Sequence, residues 1–493
     1  MSRLLVRRGA QVRALEFTGT PLVSEVLQGA NLAPAQPCGG RGTCGKCAVR
    51  LSGAVSAPNA AEERAGQRLS CQARLLGDAE VELPEARAQE IEVAGIARPL
   101  HLNPLAERYG AAVDIGTTTL ALRLYDLHSG AALGQASCWN PQGTVAADVM
   151  GRIGAALDGK GALLQAQVRG AIDELLRTAC SGVCRPEEVE TLVLAGNTTM
   201  LYLWSGRDPV SLSAAPFAAD CLFGQTVEAQ GRSAVLPPCM NAFVGADITC
   251  AVLASGLAES DRVAVLCDIG TNGEIALWKG GELLVTSTAA GPAFEGAGIS
   301  CGCGSVPGAV DRVWLENGRI AARTIGGQAA VGVCGSGLID AVAAYLQTGD
   351  IDETGATEED TLPLRDGVAL LPKDVRAVQL AKAAIAAGLE TLLRSANLAP
   401  EDVDDLYIAG GFGSHLHIPS AVTIGLLPAA LAAKARAIGN ASLEGASRLL
   451  LSREEGEKAR GIATRSRHVA LGGNPMFNER YIENMMFESS DCD

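Results

Sequence analysis

Val263-Ala-Val-Leu-Cys-Asp268-Ile-Gly270-Thr271-Asn272-Gly273-Glu274-Ile-Ala-Leu is a short apolar run, a polar turn and a second apolar run. Both runs have strand length. The glycines let the turn bend tightly and bring backbone N–H groups close to a ligand. Backbone N–H groups and hydroxyls suit a phosphate, and an aspartate can hold a divalent cation through water. The same pattern stands earlier, at Ala111-Ala-Val-Asp114-Ile-Gly116-Thr117-Thr118-Thr119-Leu-Ala-Leu-Arg-Leu. One such turn is weak evidence, since Asp-Gly turns join many hairpins. Two copies point to a duplicated fold with a phosphate loop in each half and a nucleotide in the cleft between them. Leu406-Tyr-Ile-Ala409-Gly410-Gly411-Phe412-Gly413 is a third strand ending in glycines, which can approach an adenosine with no side chain in the way.

This arrangement resembles the superfamily of acetate kinase, sugar kinases, heat-shock ATPases and actin (ASKHA); two unrelated hairpins are the alternative. Further turns fit between the anchors. Asn140 to Asp148 starts a helix, and Ala195-Gly-Asn197-Thr198-Thr199-Met200 is a strand followed by a polar turn. Phe243-Val-Gly245-Ala-Asp247 reads as the crossover into the second lobe, with a carboxylate at the cleft. Gly291-Pro-Ala-Phe-Glu295-Gly is the start of a long glycine-rich loop reaching Cys301 and Cys303. Val333-Cys334-Gly335-Ser336-Gly337 opens a helix whose free N–H groups can meet a phosphate or ribose. Residues 374–397 form an amphipathic helix over the last strand.

Ahead of these lies Cys38-Gly-Gly-Arg-Gly-Thr-Cys44-Gly-Lys-Cys47, with Cys71 downstream. Four thiolates can hold a 2Fe-2S cluster, and this spacing is one residue longer in its first gap than the plant type. A zinc ribbon would pair two short knuckles, and here the second is missing. Strands at 4–6, 12–17, 47–51, 68–72 and 80–84 and a helix at 21–28 resemble a ferredoxin of adrenodoxin-like spacing. The expected fold is therefore an α+β ferredoxin-like β-grasp domain plus an α/β two-lobed actin-like (ASKHA) ATPase domain. The divisions are 1–85 for the cluster domain, 86–108 for a linker, 109–260 and 261–475 for the two lobes, and 476–493 for a tail.

Composition narrows the function. A net charge of −15 argues against nucleic-acid binding and against a basic membrane patch. Apolar content of 48% with 19% charged residues describes a globular chain. There is no run of the length a membrane span requires. The N-terminus lacks the apolar core of a signal peptide. Many of the 15 cysteines stand loose in apolar surroundings, which suits a reducing cytoplasm.

Together these features resemble the reductive activators of corrinoid proteins, which couple an iron–sulfur centre to an ASKHA ATPase. The resemblance covers nearly the whole chain. It implies Cys38, Cys44, Cys47 and Cys71 as cluster ligands. It implies Gly116, Thr117, Thr118 and Thr119 with Gly270, Thr271, Asn272 and Gly273 as phosphate loops, and Gly410, Gly411, Phe412 and Gly413 on the adenosine, with Gly335, Ser336 and Gly337 beside them. Asp114 and Asp268 would organise Mg2+. Asp247, Asp148 and Glu274 are the candidates to position the attacking water. The implied reaction is ATP-dependent return of Co(II) to Co(I) in a corrinoid protein of a methyltransferase system. An external electron donor would reload the cluster, and a homodimer is compatible with this reading. The chain is shorter than members with an extra domain between linker and ATPase, and nothing in it is expected to fill that role. It also lacks a C-terminal cysteine-rich segment, so a single cluster is expected.

Cys301, Cys303 and Cys334 are read as packing thiols rather than a second metal site. His415 and His417 are read as solvated or capping residues rather than a metal pair, and Arg41 and Lys46 as solvated charges. Three competing readings remain. An activator of a radical-type dehydratase shares the ATPase fold but lacks a ferredoxin domain. An electron-carrier module would bind nucleotide without turnover. A small-molecule kinase is open by fold alone.

Overall fold

The computed structural model describes residues 2–8, 11–30, 32–34, 36, 40, 42, 47–83, 98–411 and 415–487. Its first sheet contains β1 (Ser2–Arg8), β2 (Gln11–Phe17), β3 (Arg50–Val55) and β4 (Leu75–Glu82). Their order is β2-β1-β4-β3, with β1 and β4 parallel and both outer pairings antiparallel. Leu4 and Val6 alternate inward on β1 and meet Phe17, Val23, Leu27, Leu75 and Val81 in a closed core. The helix Val23–Gly29 starts where Glu25 accepts the N–H of Leu22 at 2.8 Å. The strand expected at 47–51 starts only at Arg50, as β3, and that at 68–72 is reduced to one bridge between Ala48 and Leu69. Those segments wrap the thiols instead, and Cys47, Leu69 and Cys71 form a buried cluster of their own.

The second sheet comprises β5 (Tyr109–Ile115), β6 (Thr119–Asp126), β7 (Ala132–Trp139), β8 (Val189–Gly196), β9 (Phe223–Ala229) and β10 (Arg232–Pro238), in the order β7-β6-β5-β8-β10-β9. The third comprises β11 (Ala264–Ile269), β12 (Gly273–Lys279) and β13 (Glu282–Thr288). Two small sheets follow, β14 (Ala309–Glu316), β15 (Arg319–Thr324) and β16 (Gly332–Val333), then β17 (Leu362–Arg365) and β18 (Val368–Leu370). β19 (Asp405–Ala409), β20 (Ala435–Gly439) and β21 (Ser466–His468) complete the third sheet in the order β20-β19-β11-β12-β13-β21.

The two large sheets share one wiring. A central strand pairs with an antiparallel hairpin on one side and a parallel strand on the other. In β5 this places Asp114 opposite Ala121 and Ala195; in β11 it places Asp268 opposite Glu274 and Ala409. The central strands are buried, which is why they read as unbroken apolar runs. Ligands of such sheets bind outside the carboxyl ends of the parallel strands, and both aspartates lie there.

Two helices, Ala246–Ser255 and Ala441–Leu451, pack between the sheets. A Cβ on Gly445 would sit 2.0 Å from the Cys250 carbonyl oxygen, so glycine is needed for their close approach. One core runs from Ala112 and Val193 of the second sheet to Leu266, Ala276 and Val285 of the third. The lobes are joined beneath the cleft and open above it.

Residues 98–108, within the segment expected to be a linker, lie on the two-lobed body. Arg448 donates to the carbonyls of Arg98 and Pro99, and Leu105 N–H donates to Leu450 O at 3.0 Å. The tail is also built in. Helix Pro475–Glu483 packs on helix Pro372–Ser395, and Lys382 donates to Met486 O beside the buried ring of Phe487. The cluster domain touches the first lobe through Gln28 Nε2, which donates to Thr144 Oγ1 at 2.8 Å. Among the described residues no helix is long and apolar enough to cross a membrane.

Candidate functional site

Both Asp-Ile-Gly-Thr turns open into one cleft. In the first, a Cβ on Gly116 would sit 2.6 Å from Thr119 O, so the turn closes only around glycine. In the second, Gly270 N–H donates to Asn272 O at 3.0 Å. The turns meet across the cleft, where Thr118 Oγ1 and Thr271 Oγ1 lie 3.0 Å apart. Arg152 supports the first turn from behind. It is buried, donates to Thr117 O at 2.6 Å and Gln142 Oε1 at 3.1 Å, and burial brings its pKa down to about 9.

Asp114 comes from the first lobe, but its partners come from the far end of the second. Asn440 Nδ2 donates to one carboxylate oxygen at 2.9 Å and Ser442 Oγ to the other at 2.8 Å. Sequence reading missed both residues. Their signal was present, because Gly439-Asn440-Ala-Ser442 ends a strand and caps a helix, as Asn197 does. Asn197 Nδ2 donates to Thr117 Oγ1 at 3.1 Å, so the third turn of the first lobe holds the phosphate loop. A Cβ on Gly245 would lie 2.4 Å from Asn197 Cα, which sets Asp247 beside that turn.

Five carboxyls gather on the cleft: Asp114, Asp247, Asp268, Glu274 and Glu295. Burial is the first cause of every shift. It pushes Asp247 up to about 7, with the charge of Asp114 adding, and Asp268 up to about 8, with Asp247, Asp114 and Glu295 adding. Glu274 is pushed well above the usual range by burial, then by Asp247 and Asp268. Asp114 is raised by burial against the pull of Asn440 and Ser442, and Glu295 by burial against hydroxyls of Thr118 and Thr271. No lysine or arginine lines the cleft among the described residues.

The folded protein therefore holds protons that the unfolded chain has released above the ordinary carboxylate value of 3.8. Stability of the ligand-free protein is expected to fall as pH rises from about 4 to about 8 and to level off above that. Urea midpoints at about pH 6 and pH 8.5 check this; a midpoint that climbs with pH would count against the shared burial of these acids.

Of the residues expected on a nucleotide, Gly116 to Thr119, Gly270 to Asn272, Gly335, Ser336, Gly410 and Gly411 line the cleft. Gly273 and Gly337 do not. Gly273 sits in β12, where a Cβ would meet Ile385 and Thr288, and Gly337 abuts β14, where a Cβ would lie 2.2 Å from Val310 O. Both are packing glycines. Phe412 and Gly413 lie outside the described residues. Asp148 caps the helix Val149–Ala155 through Gly151 N–H at 2.7 Å and is not on the cleft. His415 lines the cleft, while His417 faces Ser420 at 2.8 Å and Asp340 at 3.5 Å. Cys303 and Cys334 pack with Ala309 at the cleft edge.

In the cluster domain, Cys47 Sγ and Cys71 Sγ are 3.1 Å apart and buried. Gln72 Nε2 donates to Gly40 O at 2.7 Å, tying the cysteine loop to the Cys71 turn. Gly42 has φ +71°, and a Cβ there would lie 2.9 Å from Gln72, so both torsion and space require glycine. Two thiols this close suit ligation of one iron. Cys38, Cys44, Arg41 and Lys46 lie outside the described residues. Gln36, just before the loop, closes a small space with Thr117, Thr118, Arg152, Pro292 and Ala297.

Residues 9–76 match the 2Fe-2S iron-sulfur cluster binding domain, 109–260 the RACo middle region, and 262–493 the C-terminal domain of RACo, the ASKHA domain. The second match falls on the span that forms the first lobe, from β5 to the end of the helix Ala246–Ser255 and the turn after it. The corrinoid activation enzyme RamQ of Eubacterium limosum is 36% identical over 422 residues, covering 77% of this chain and 70% of that protein. The Co(II) methylated amine-specific corrinoid protein reductase of Methanosarcina barkeri is 28% identical over 319 residues, covering 60% of this chain and 58% of that protein. The solved structure of a reductive activator for a corrinoid, iron–sulfur protein superposes with a TM-score of 0.75 at 28% identity, over 100% of this chain and 99% of that one.

Proposed function

The chain belongs to the RACo family of reductive activators of corrinoid proteins, and from that premise we propose that it uses ATP to return Co(II) of a corrinoid protein to Co(I). The observation that carries this is the junction of two phosphate turns, through Thr118 and Thr271, in a chain that also bears a 2Fe-2S domain. A 2Fe-2S cluster supplies one electron at a time. Cys47 and Cys71 would hold it together with Cys38 and Cys44, and an external donor would reload it.

Asp114 and Asp268 fit a hydrated Mg2+. Five carboxyls and a triphosphate cannot share a cleft lined by no described lysine or arginine unless a cation offsets their charge. Thr117 to Thr119 and Gly270 to Asn272 would hold the phosphates, and Gly410 and Gly411 the adenosine. The many loose thiols support a reducing, cytoplasmic setting for this reaction.

ATP is needed because the transfer runs uphill. Plant-type 2Fe-2S centres lie near about −400 mV, and the Co(II)/Co(I) couple is expected to lie lower. For one electron, each ~60 mV of deficit is a tenfold unfavourable ratio. Nucleotide that binds the closed lobes more tightly than the open ones can drive a matching change in the bound partner. The test mixes a Co(II) corrinoid protein, a reductant and this protein, and follows Co(I) absorption. Co(I) is expected only with ATP; equal formation without it would defeat the coupling.

A further inference from the structure

We infer that Glu295 orients the water that attacks the γ-phosphate of ATP, an assignment that rests on the ATPase reading above. Glu295 ends the short helix Pro292–Glu295 of the loop beside the second phosphate turn. Thr271 Oγ1 donates to its Oε1 at 3.0 Å, and the same Thr271 hydroxyl meets Thr118 across the cleft. Its other oxygen, Oε2, is buried and has no hydrogen-bond partner.

Of the other cleft acids, Asp268 is assigned above to the Mg2+, and Asp114, Glu274 and Asp247 each accept hydrogen bonds. Both oxygens of Asp114 are held by Asn440 and Ser442, Glu274 accepts from Ser287 Oγ at 3.2 Å, and Asp247 accepts the N–H of Ile248 at 2.9 Å. Among the described residues, Glu295 Oε2 and Asp340 Oδ1 are the carboxylate oxygens buried without a hydrogen bond; Asp340 faces His417 and does not line the cleft. Leaving a buried acceptor without a donor costs free energy, so it persists where a ligand or water completes it.

A γ-phosphate entering between the turns must part Thr118 from Thr271. That opens Glu295 Oε2 to a water between it and the phosphorus. The water oxygen bonds to the γ-phosphorus as the bond to the β–γ bridging oxygen breaks, and ADP leaves with that electron pair. One water proton passes to Oε2 and then to solvent, and the other stays on the phosphate.

The test is Glu295→Gln in the full chain carrying its cluster, mixed with a Co(II) corrinoid protein. Gln keeps an oxygen for Thr271 and loses only the proton acceptor. Phosphate release is expected to fall about 100- to 1,000-fold in kcat, with KM for ATP and the Kd of a fluorescent ATP analogue within threefold of wild type. Glu295→Asp should recover at least tenfold over Gln. A Gln variant turning over within threefold of wild type overturns the assignment, and so does a matched loss of nucleotide binding, which would make Glu295 only a brace for Thr271. If the wild-type chain itself releases no phosphate, the ATPase reading falls and this assignment with it.

Discussion

Cys71→Ala is expected to abolish Co(I) formation while ATP turnover stays within twofold of wild type. Cys71 lies 3.1 Å from Cys47 in a buried pocket closed by Leu69. Removing one thiolate of four removes the closed ligand set that a 2Fe-2S centre needs. Visible absorption of the cluster should vanish, and the rate of Co(I) formation should drop at least about 100-fold, equal to ~2.7 kcal/mol. The cluster domain is expected to stay folded, because Leu4, Val6, Phe17, Val23, Leu27, Leu75 and Val81 form a core separate from the thiols. The nucleotide cleft is built from residues 114–442 and includes neither Cys47 nor Cys71. Co(I) formation at the wild-type rate would mean that the electron does not pass through this cluster. Loss of ATP turnover as well would show that the docked domain, through Gln28, Gln36 and the space behind Thr117 and Thr118, supports the phosphate turn.

The parts of this machine legible in the sequence are those set by local backbone demands. A turn closing on Gly116 or ending at Gly410 leaves a mark because another residue would collide with Thr119 O or Ile269 O. Asp114 and Asp268 were visible because duplication repeats the same strand, acid and turn. What escaped depends on distant pairing. Asn440 and Ser442 reach Asp114 across more than three hundred residues, and no local pattern announces that. Arg152 reads as a surface cation on a helix, yet it is buried behind Thr117. Gly273 and Gly337 carry the converse lesson. They stand in the right motifs, but their missing side chains serve packing against Ile385 and β14. Residues 98–108 look like a linker because clamping by Arg448 involves their carbonyls, which no side-chain pattern reports.

Asp268→Asn should move function and stability in opposite directions. Asp268 lies near the end of the central strand of the second lobe, and a Cβ on Gly410 would lie 2.9 Å from its Oδ1, so the proposed Mg2+ acid and the proposed adenosine loop touch here. Asparagine keeps the shape and removes the charge that would hold hydrated Mg2+. ATP turnover is expected to fall at least about 100-fold, and Co(I) formation to the level seen without ATP. Yet the free protein should gain. Burial, with Asp247, Asp114 and Glu295, pushes the pKa up to about 8, so ionising Asp268 near that pH opposes folding. Because the cleft is open to water, the relief is discounted to about 1 kcal/mol, or a Tm higher by about 2–4 °C for a lobe of this size. Nucleotide with Mg2+ should then reverse the order. At a hundred times Kd it stabilises the wild type by ~2.7 kcal/mol, and the variant, which binds it poorly, by far less. Thermal melts with and without Mg-ADP should therefore cross. A variant less stable than wild type under both conditions would make Asp268 a structural brace, and the cation would have to be held elsewhere in the cleft.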